Sequence, residues 1–413
     1  MDFEKRRQTL IDSMAEHSIA ILYSGAEHHV SADEYDLFTA QCNRNFFYLT
    51  GLRRENMVLV INKAVAVPTV TLFIEPFDAY MQRWYGKKVT KEEAEEISGI
   101  KDIRYVESLE DIISGIIVNR LVEKAYFDCY RHNFADLPDY NQVKANEFAA
   151  RYPGIGICNL FPIVAEMRMK KDEDELALIG KAIEITDMGL KNVMKNLKPG
   201  MKEYQAQADF EYMIARNGSE HTAFPTIAGS GMNGTMLHYD TNQDEIKDGS
   251  LLLLDLGARY KGYNADITRT YPANGKFSER QRAVYDIVLA ANRQVLKEAH
   301  SGMTTGDLND ICRRVLAEGL IRLGLIKDPS EIGRYYMHGV SHHLGIDVHD
   351  VNTGRDIPLP VGAVVSDEPG LYIDEWEIGI RIEDDILIRE HDAVCLSEGI
   401  IRDPEKIEEF MRA

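Results

Sequence analysis

The strongest constraint on the fold is the segment SLLLLDLG, residues 250–257, in which four leucines run directly into Asp255. An apolar run of this length that ends at glycine predicts a buried strand. A carboxylate that follows so apolar a strand is costly to desolvate unless it faces a polar pocket. The segment therefore predicts that a pocket lies at the end of this strand.

A second acidic residue, Asp266, follows eleven positions later in YNADITRTY. If the two strand-like segments form a hairpin that turns near Tyr260 and Lys261, Asp255 and Asp266 lie opposite one another on the same face. Two carboxylates side by side repel each other unless a cation lies between them. This pair therefore indicates a cation-binding position.

The same pattern recurs in SDEPGLYIDEWEIGIRIEDD, where Glu368 and Glu383 lie fifteen residues apart across a predicted hairpin centred near Glu375. The isoleucines at positions 378, 380 and 382 share one face of the second strand, which leaves Arg381 and Glu383 on the other face. A second carboxylate pair thus comes from an independent hairpin.

Histidines are concentrated in HGVSHHLGIDVHD, residues 338–350, which holds four of the chain's 12 histidines. One imidazole from this segment and the four carboxylates would form a ligand set for two divalent cations bridged by shared carboxylates. Such oxygen-rich ligation favours Mn²⁺ over a single tightly held Zn²⁺. An acidic strand end alone is usually solvated, and a histidine-rich loop alone is usually polar surface, but the joint pattern favours a metal site.

The composition narrows the class of protein. At 413 residues, with 45% apolar and 28% charged residues, the chain is typical of a globular protein with two domains. The formal net charge of -20 disfavours nucleic acid and anionic membranes as partners. Five separated cysteines without a CxxC motif, a charged N-terminal segment and the lack of a long apolar run favour a reducing cytoplasm.

Two patterns divide the chain into a predicted N-terminal domain, residues 1–165, and a C-terminal domain, residues 166–413. The first alternates strand-like and helix-like segments, which predicts a layered α/β domain. The second begins with a long helix whose acidic first turn starts at Asp172 and whose end is marked by Pro199 and Gly200. Further helical stretches and hairpin strands follow, so this part is predicted to be α+β.

These motifs resemble those of the metal-dependent peptidases with a pita-bread catalytic domain, especially Xaa-Pro aminopeptidases (aminopeptidase P) and Xaa-Pro dipeptidases (prolidases). RNFFYLTGL, residues 44–52, resembles the family's N-terminal-domain signature. The motifs LHY, LLLLDLGARYKGYNADITRTY, HGVSHHLGIDVHD, EPGLY and GIRIEDD follow in the family's order and spacing. The resemblance extends over nearly the whole chain. It implies a pita-bread catalytic domain preceded by a smaller α/β domain that serves oligomerisation or forms the rim of the active site.

The resemblance implies two divalent ions per chain, Mn²⁺ above all, with Co²⁺ or Zn²⁺ as alternatives. The implied ligands are Asp255, Asp266, His342, Glu368 and Glu383, with Asp266 and Glu383 bridging the two ions. All five are present, which separates the chain from the creatinases and the pita-bread binding proteins that have lost the ligands. The resemblance also implies a homodimer or homotetramer.

The implied substrate is a peptide with proline at its second position. Glu368 is expected to act as general base and proton shuttle. His338 is expected to stabilise the tetrahedral intermediate. His238 and His349 are expected to contact the residues on either side of the scissile bond, and Arg355 the far end of the substrate.

Supporting roles are implied for further residues. Tyr372 and Arg381 match positions that hold Asp255 and the metal centre. His343 occupies a position where the family also has aromatic residues, so it need not contact metal. Trp84, in QRWYGKK, resembles a tryptophan that reaches the active site of a neighbouring subunit, with an ordinary surface or core tryptophan as the alternative.

The nearest alternative function is that of an Xaa-Pro dipeptidase, because the motifs near the metals do not divide the two activities. Methionine aminopeptidases share the metal ligands, but the long N-terminal domain and the histidine motif argue against them. A non-catalytic pita-bread binding protein is disfavoured because all five ligands are retained.

Overall fold

The computed structural model describes residues 1–26, 31, 42–354 and 356–412. The chain forms two compact units, Met1–Arg168 and Met169–Ala413. In the part of the chain that the structure describes, no helix is both long enough and apolar enough to cross a membrane.

The N-terminal unit is built on one mixed sheet of six strands. The strands are β1 Ser18–Tyr23, β2 Val58–Asn62, β3 Thr69–Ile74, β4 Asp102–Tyr105, β5 Lys124–Phe127 and β6 Gly156–Asn159. The helices are α1 Phe3–Ser13, α2 Arg44–Thr50, α3 Met81–Tyr85, α4 Lys91–Ser98, α5 Leu109–Asn119, α6 Tyr140–Arg151 and α7 Phe161–Met169. The strand order is β4-β3-β2-β1-β5-β6, in which β2 runs antiparallel to both of its neighbours and the other pairs are parallel.

The predicted α/β class of this unit is confirmed. Strands β1, β2, β3 and β5 correspond to the strand-like segments IAILYS, MVLVIN, TVTLFIE and KAYFDC. Helices α1, α4 and α5 correspond to the helix-like segments FEKRRQTLIDSMAEH, TKEEAEEIS and LEDIISGIIVNRLV. Apolar side chains from the central strands pack with those of α5 and α6 into one core, which includes Ile21, Val60, Phe73, Phe127 and Phe148. Helices α2, α3, α6 and α7 and strands β4 and β6 were not predicted.

The C-terminal unit contains long helices and short antiparallel sheets. The helices are α8 Glu173–Asn196, α9 Glu203–Arg216, α10 Glu279–Glu298, α11 Thr305–Arg322 and α12 Pro404–Arg412. The strands are β7 Ile227–Ser230, β8 Leu251–Leu256, β9 Arg259–Tyr260, β10 Tyr263–Asn264, β11 Ile267–Pro272, β12 Val364–Asp367, β13 Gly370–Ile373, β14 Ile378–Arg381, β15 Asp384–Ile388 and β16 Ala393–Cys395. They form the sheets β11-β8-β7, β10-β9, β12-β15-β16 and β13-β14.

Helix α8 shows why the long helices begin and end where the sequence indicates. Its N-cap Asp172 accepts a hydrogen bond from the backbone N–H of Glu175, and the Glu175 side chain accepts one from the backbone N–H of Asp172, which completes a capping box. Ile179, Ile183 and Leu190 lie on its buried face at helical spacing. The helix ends at Asn196, three residues before Pro199.

The first carboxylate hairpin has a different register from the predicted one. Strand β8 pairs with β11 so that Asp255 lies opposite Thr268, not opposite Asp266. The chain turns at Lys261 and Gly262, which both have positive φ, as the favoured two-residue hairpin turn requires. The hairpin is therefore centred one residue later than expected. Asp266 therefore lies two residues before the residue that is paired with Asp255. Because side chains alternate along a strand, a displacement of two residues leaves Asp266 on the same face as Asp255.

The second carboxylate hairpin is confirmed. Strands β13 and β14 pair antiparallel, with Gly370 opposite Arg381 and Ile373 opposite Ile378. The same register continued outward sets Glu368 opposite Glu383. The turn between the strands comprises a short 3₁₀ helix, Asp374–Trp376, followed by a residue with positive φ.

Candidate metal centre

Three predicted metal ligands lie close together in the C-terminal unit. One ligand atom from each of Asp266, His342 and Glu383 lies within 4.8 Å of the other two. The Nε2 atom of His342 is 3.3 Å from Asp266 Oδ2 and 4.0 Å from Glu383 Oε1. Both carboxylates are buried, whereas His342 is partly exposed. The cluster has the donor types and the spacing of a cation site.

Backbone pairing brings these three side chains together. Asp266 directly precedes β11, and Glu383 lies two residues after the end of β14 and directly before β15. The Glu383 backbone N–H donates to the Thr268 carbonyl over 3.0 Å, and the Thr268 hydroxyl donates to Glu383 Oε2 over 2.7 Å. The backbone N–H of Ser366 in β12 donates to the His342 carbonyl, and the backbone N–H of His342 donates to the Ser366 hydroxyl. The two hairpins and the histidine segment thus meet at one point.

Glu368, which follows β12, borders the same cluster. Its Oε1 atom lies 3.7 Å from His342 Nε2, and its Oε2 atom lies 3.8 Å from His338 Nδ1. Its backbone N–H donates to the carbonyl of Val340, which fixes the strand end against the histidine segment. Glu368 therefore lies between a predicted metal ligand and a predicted substrate histidine.

Asp255 is held from one side only. Its Oδ2 atom accepts a hydrogen bond from Arg381 Nη2 over 2.6 Å. Its Oδ1 atom is buried and has no hydrogen-bond partner among the described residues. A buried carboxylate oxygen without a partner is costly, and a cation bound there would remove that cost.

The charges at the site favour a bound cation. Burial and the neighbouring carboxylates raise the pKa of Asp266 and of Glu383, and burial raises the pKa of Glu368 to about 7. Burial alone would lower the pKa of His342, but its hydrogen bond with Asp266 and the charge of Glu368 outweigh burial and raise that pKa to about 9. Without a metal ion, the carboxyl groups and His342 thus tend to retain protons. A bound metal ion would supply the positive charge that allows them to release these protons.

A hydrogen-bonded chain links Asp255 to His338. Arg381 donates to Asp255 and, through Nη1, to the Tyr372 hydroxyl over 2.8 Å. The Tyr372 hydroxyl lies 2.8 Å from His338 Nε2, and His338 Nδ1 lies 2.7 Å from the carbonyl of Gly339. Burial and the charge of Arg381 lower the pKa of His338 to about 4, so its ring is neutral. A neutral ring that donates from Nδ1 accepts at Nε2, and Tyr372 is therefore the donor to it.

The other predicted substrate residues lie at different distances from the cluster. The ring of His349 stacks obliquely on that of His342, with 4.1 Å between centroids, and burial lowers the pKa of His349 to about 4. His238 is exposed, and its charge contributes to the lowered pKa values of both His338 and His349. Arg355 lies outside the described residues.

His343 and Trp84, both singled out in the sequence, differ in their exposure to solvent. His343 is buried, its Nδ1 atom has no hydrogen-bond partner among the described residues, and its backbone forms an isolated bridge with Val365. Trp84 lies on α3 with 69% of its surface exposed and its ring centroid 6.4 Å from that of Tyr80.

Thr268 was not predicted as a site residue. It lies opposite Asp255 and bonds to both Glu383 and Arg381, the latter through Arg381 Nε over 3.0 Å. Its position two residues after Asp266, and so on the same side of the strand, is a signal that could have identified it.

Two family models match the chain. Metallopeptidase family M24 matches residues 177–390, and the N-terminal domain of aminopeptidase P matches residues 3–123. The first match contains every predicted metal ligand, and the second lies within the N-terminal unit.

Known proteins match along the whole chain. The Xaa-Pro aminopeptidase of Escherichia coli strain K12 is 34% identical over an alignment that covers 100% of this chain and 98% of the relative. A Bacillus anthracis protein solved as a candidate aminopeptidase P is 43% identical, with a TM-score of 0.96 and coverage of 99% of this chain and 97% of that one. E. coli aminopeptidase P with the inhibitor Pro-Leu is 33% identical, with a TM-score of 0.89 and coverage of 100% and 98%.

Proposed function

The chain belongs to metallopeptidase family M24, and from this premise we propose that it removes the N-terminal residue from peptides whose second residue is proline, with two bound divalent ions. The chain is a metal-dependent hydrolase of the aminopeptidase type. Its N-terminal unit has an α/β fold and its C-terminal unit the α+β pita-bread fold. The observation that carries the proposal is the convergence of Asp266, His342 and Glu383, with Glu368 bordering the same cluster.

We assign the two metal positions to the five residues Asp255, Asp266, His342, Glu368 and Glu383. Asp266 and Glu383, which lie 3.3 and 4.0 Å from His342 Nε2, would be the ligands shared by the two ions. A set of four carboxylates and one imidazole favours Mn²⁺ over Zn²⁺ or Co²⁺. When bound, such ions supply Lewis acidity and lower the pKa of the attacking water.

Glu368 is the proposed general base. It lies between a proposed metal ligand, His342, and a proposed substrate contact, His338, and a carboxylate in that position can accept and return a proton. It would take the proton of the attacking water and deliver it to the leaving nitrogen.

Three histidines are the proposed substrate contacts. His338 is assigned to the developing oxyanion, to which its Nδ1–H, donated to the Gly339 carbonyl in this structure, would be redirected. His349 and His238 are assigned to the residues on either side of the scissile bond. The far end of the peptide is assigned to Arg355.

Specificity for proline follows from the chemistry of the imide bond. The proline nitrogen carries no N–H, so the site must recognise the ring and the free amino terminus. The carboxylates of the cluster favour a nearby ammonium or neutral amine. This explains why one residue would be removed rather than an internal bond cleaved.

The test is product analysis after the protein has been stripped with a chelator and reloaded with Mn²⁺, Co²⁺ or Zn²⁺. Arg-Pro-Pro and Ala-Pro are offered in parallel, and bound metal is counted by elemental analysis. We expect two ions per chain and metal-dependent release of arginine from the tripeptide. Cleavage of Ala-Pro alone would assign the protein as an Xaa-Pro dipeptidase, and turnover of neither peptide would contradict the catalytic proposal.

Glu368→Gln provides the matched variant, since it keeps the shape of the side chain and removes its capacity as a base. We expect kcat to fall by about 10²–10⁴-fold. Glu409→Gln, an exposed position on α12, is the control and should leave kcat unchanged.

We also propose a homodimer or homotetramer in the cytoplasm. Phe77, Tyr80 and Trp84 expose 62%, 66% and 69% of their surfaces within one short stretch of the N-terminal unit. Exposed apolar residues grouped in this way are typical of interaction surfaces. The five cysteines are unpaired, which suits a reducing compartment. Light scattering after gel filtration tests the assembly, and a monomeric mass would contradict it.

A further inference from the structure

Glu203 is a buried carboxylate outside the metal cluster. It is the first residue of α9, and its relative exposure is 0%. Among the described residues no basic side chain lies within ion-pair distance of it. A buried charge without an ion pair must be stabilised by hydrogen bonds, and the identity of its donors indicates what it holds in place.

All four side-chain hydrogen bonds that Glu203 accepts come from one segment, the last residue of β7 and the β7–β8 loop (residues 231–250). Its Oε1 atom accepts from the backbone N–H of Ser230 over 2.8 Å and from the Asn233 amide over 3.0 Å. Its Oε2 atom accepts from the Tyr239 hydroxyl over 2.8 Å and from the backbone N–H of Asp244 over 2.9 Å. One carboxylate therefore joins the beginning, middle and end of this segment.

The β7–β8 loop carries His238, the exposed histidine assigned above to the substrate. The residues on either side of it, Leu237 and Tyr239, pack against a small apolar cluster that includes Tyr372. Because Tyr239 both packs there and donates to Glu203, the direction of the neighbouring His238 depends on the hold that Glu203 exerts on the loop.

The backbone of the loop also rests against the second carboxylate hairpin. A Cβ atom at Gly379 of β14 would lie 1.7 Å from the Gly234 carbonyl oxygen, so the two backbones are in direct contact. Glycine at this position permits the approach. The loop is thus fixed between α9, through Glu203, and β14.

We propose that Glu203 is a positioning residue that sets the β7–β8 loop so that His238 contacts the peptide substrate. This inference rests on the proposed function. Glu203 acts through the loop and through His238, and it has no part in proton transfer or in metal binding.

Glu203→Gln tests the assignment with almost no change of shape. The new amide group points two hydrogens at a pair of groups that are themselves donors, so at least one hydrogen bond of the loop is lost and its donor is left opposed. We expect KM for Arg-Pro-Pro to rise about tenfold with a smaller change in kcat, and the bound metal to stay constant. Tyr239→Phe removes one of the four bonds and serves as a milder second variant if Glu203→Gln folds poorly.

A double-mutant cycle with His238→Ala separates positioning from a general loss of structure. If Glu203 acts through His238, then Glu203→Gln should have little further effect on KM once His238 is absent. Effects that simply multiply would overturn the proposal. Glu211→Gln on the same helix is the matched control, because the hydrogen bonds of Glu211 are with Gln207 and Thr226 and not with the β7–β8 loop.

Amide hydrogen exchange gives a second readout that needs no turnover. The N–H groups of Ser230 and Asp244 should lose protection in Glu203→Gln and keep it in Glu211→Gln. Unchanged exchange at both amides would contradict the role of Glu203. Lack of peptide cleavage by the wild-type protein would instead contradict the proposed function, so the two failures are distinguishable.

Discussion

Replacing Lys171 with methionine should lower the free energy of unfolding of the C-terminal unit by about 3–5 kcal/mol. Lys171 Nζ lies 3.1 Å from Asp350 Oδ2, and both side chains are 1% exposed. At that separation and an effective dielectric constant of about 20, the attraction is about 5 kcal/mol. Replacement of the lysine removes this attraction while the Asp350 side chain stays buried, so the stability that the pair contributes is lost.

The surroundings of Asp350 leave it little room to move towards water. A Cβ atom at Gly345 would lie 2.4 Å from Asp350 Oδ2 and 3.0 Å from Lys171 Cε, so the ion pair is pressed against the backbone of the histidine segment. The Asp350 N–H also donates to the His343 carbonyl over 2.7 Å. The double variant Lys171→Met with Asp350→Asn should therefore recover at least half of the loss, since the buried carboxylate charge is removed together with that of its lysine partner.

Tryptophan fluorescence during urea unfolding can follow the C-terminal unit alone. The chain has two tryptophans, Trp84 in the N-terminal unit and the half-buried Trp376 in the C-terminal unit, so Trp84→Phe leaves a single reporter. Lys181→Met is the control, because its partner Glu184 is 53% exposed and such a pair contributes about 0–1 kcal/mol. Equal losses from the variants at positions 171 and 181 would refute the reasoning.

Three further outcomes follow from single contacts. Gly379→Ala should lower the free energy of unfolding by about 1–3 kcal/mol or more, because its Cβ would lie 1.7 Å from a carbonyl oxygen of the β7–β8 loop. Gly180→Ala on α8, where a Cβ would have nothing within 4 Å, should be neutral or stabilising in the same denaturation assay. Tyr372→Phe removes the donor to His338 and should lower kcat about 10–100-fold with unchanged metal content, measured by steady-state kinetics and elemental analysis. Burial raises the pKa of Asp139 to about 6, so the folded state favours the protonated carboxyl group and loses stability as pH rises from about 4 to 6. Asp139→Asn should therefore be more stable than wild type at pH 8 but not at pH 4. Urea unfolding midpoints at the two pH values measure the difference.

The two carboxylate hairpins show how far the sequence could predict this site. For Glu368 and Glu383 the alternation of isoleucines defined the strand, and the predicted centre near Glu375 agrees with the observed register. For Asp255 and Asp266 the predicted centre was one residue too early. The turn is defined by Gly262, which readily adopts positive φ, and not by Tyr260. Local sequence thus indicated the correct faces in both hairpins but the exact register in one.

The roles of side chains that support the site from distant segments could not be predicted from the sequence. Glu203 and Lys171 carry ordinary local signals, an acidic residue in a first helical turn and a basic residue before a helix. Their roles depend on approaches across 27 to 41 positions for Glu203 and 179 positions for Lys171. Hydrophobic periodicity reports which face of an element is buried, but it does not report which loop a buried charge will meet.

The charge balance of the cluster explains why these supports can be remote. Asp255, Asp266, Glu368 and Glu383 carry four negative charges when ionised, and Arg381 supplies one positive charge, so three negative charges remain within a largely buried site. One divalent ion would leave a net negative charge, whereas two would leave a single positive charge that an anion from water can neutralise. Burial penalises net charge steeply. The proposed pair of ions therefore satisfies the electrostatics within the cluster itself, and remote residues such as Glu203 need only hold backbone segments in place.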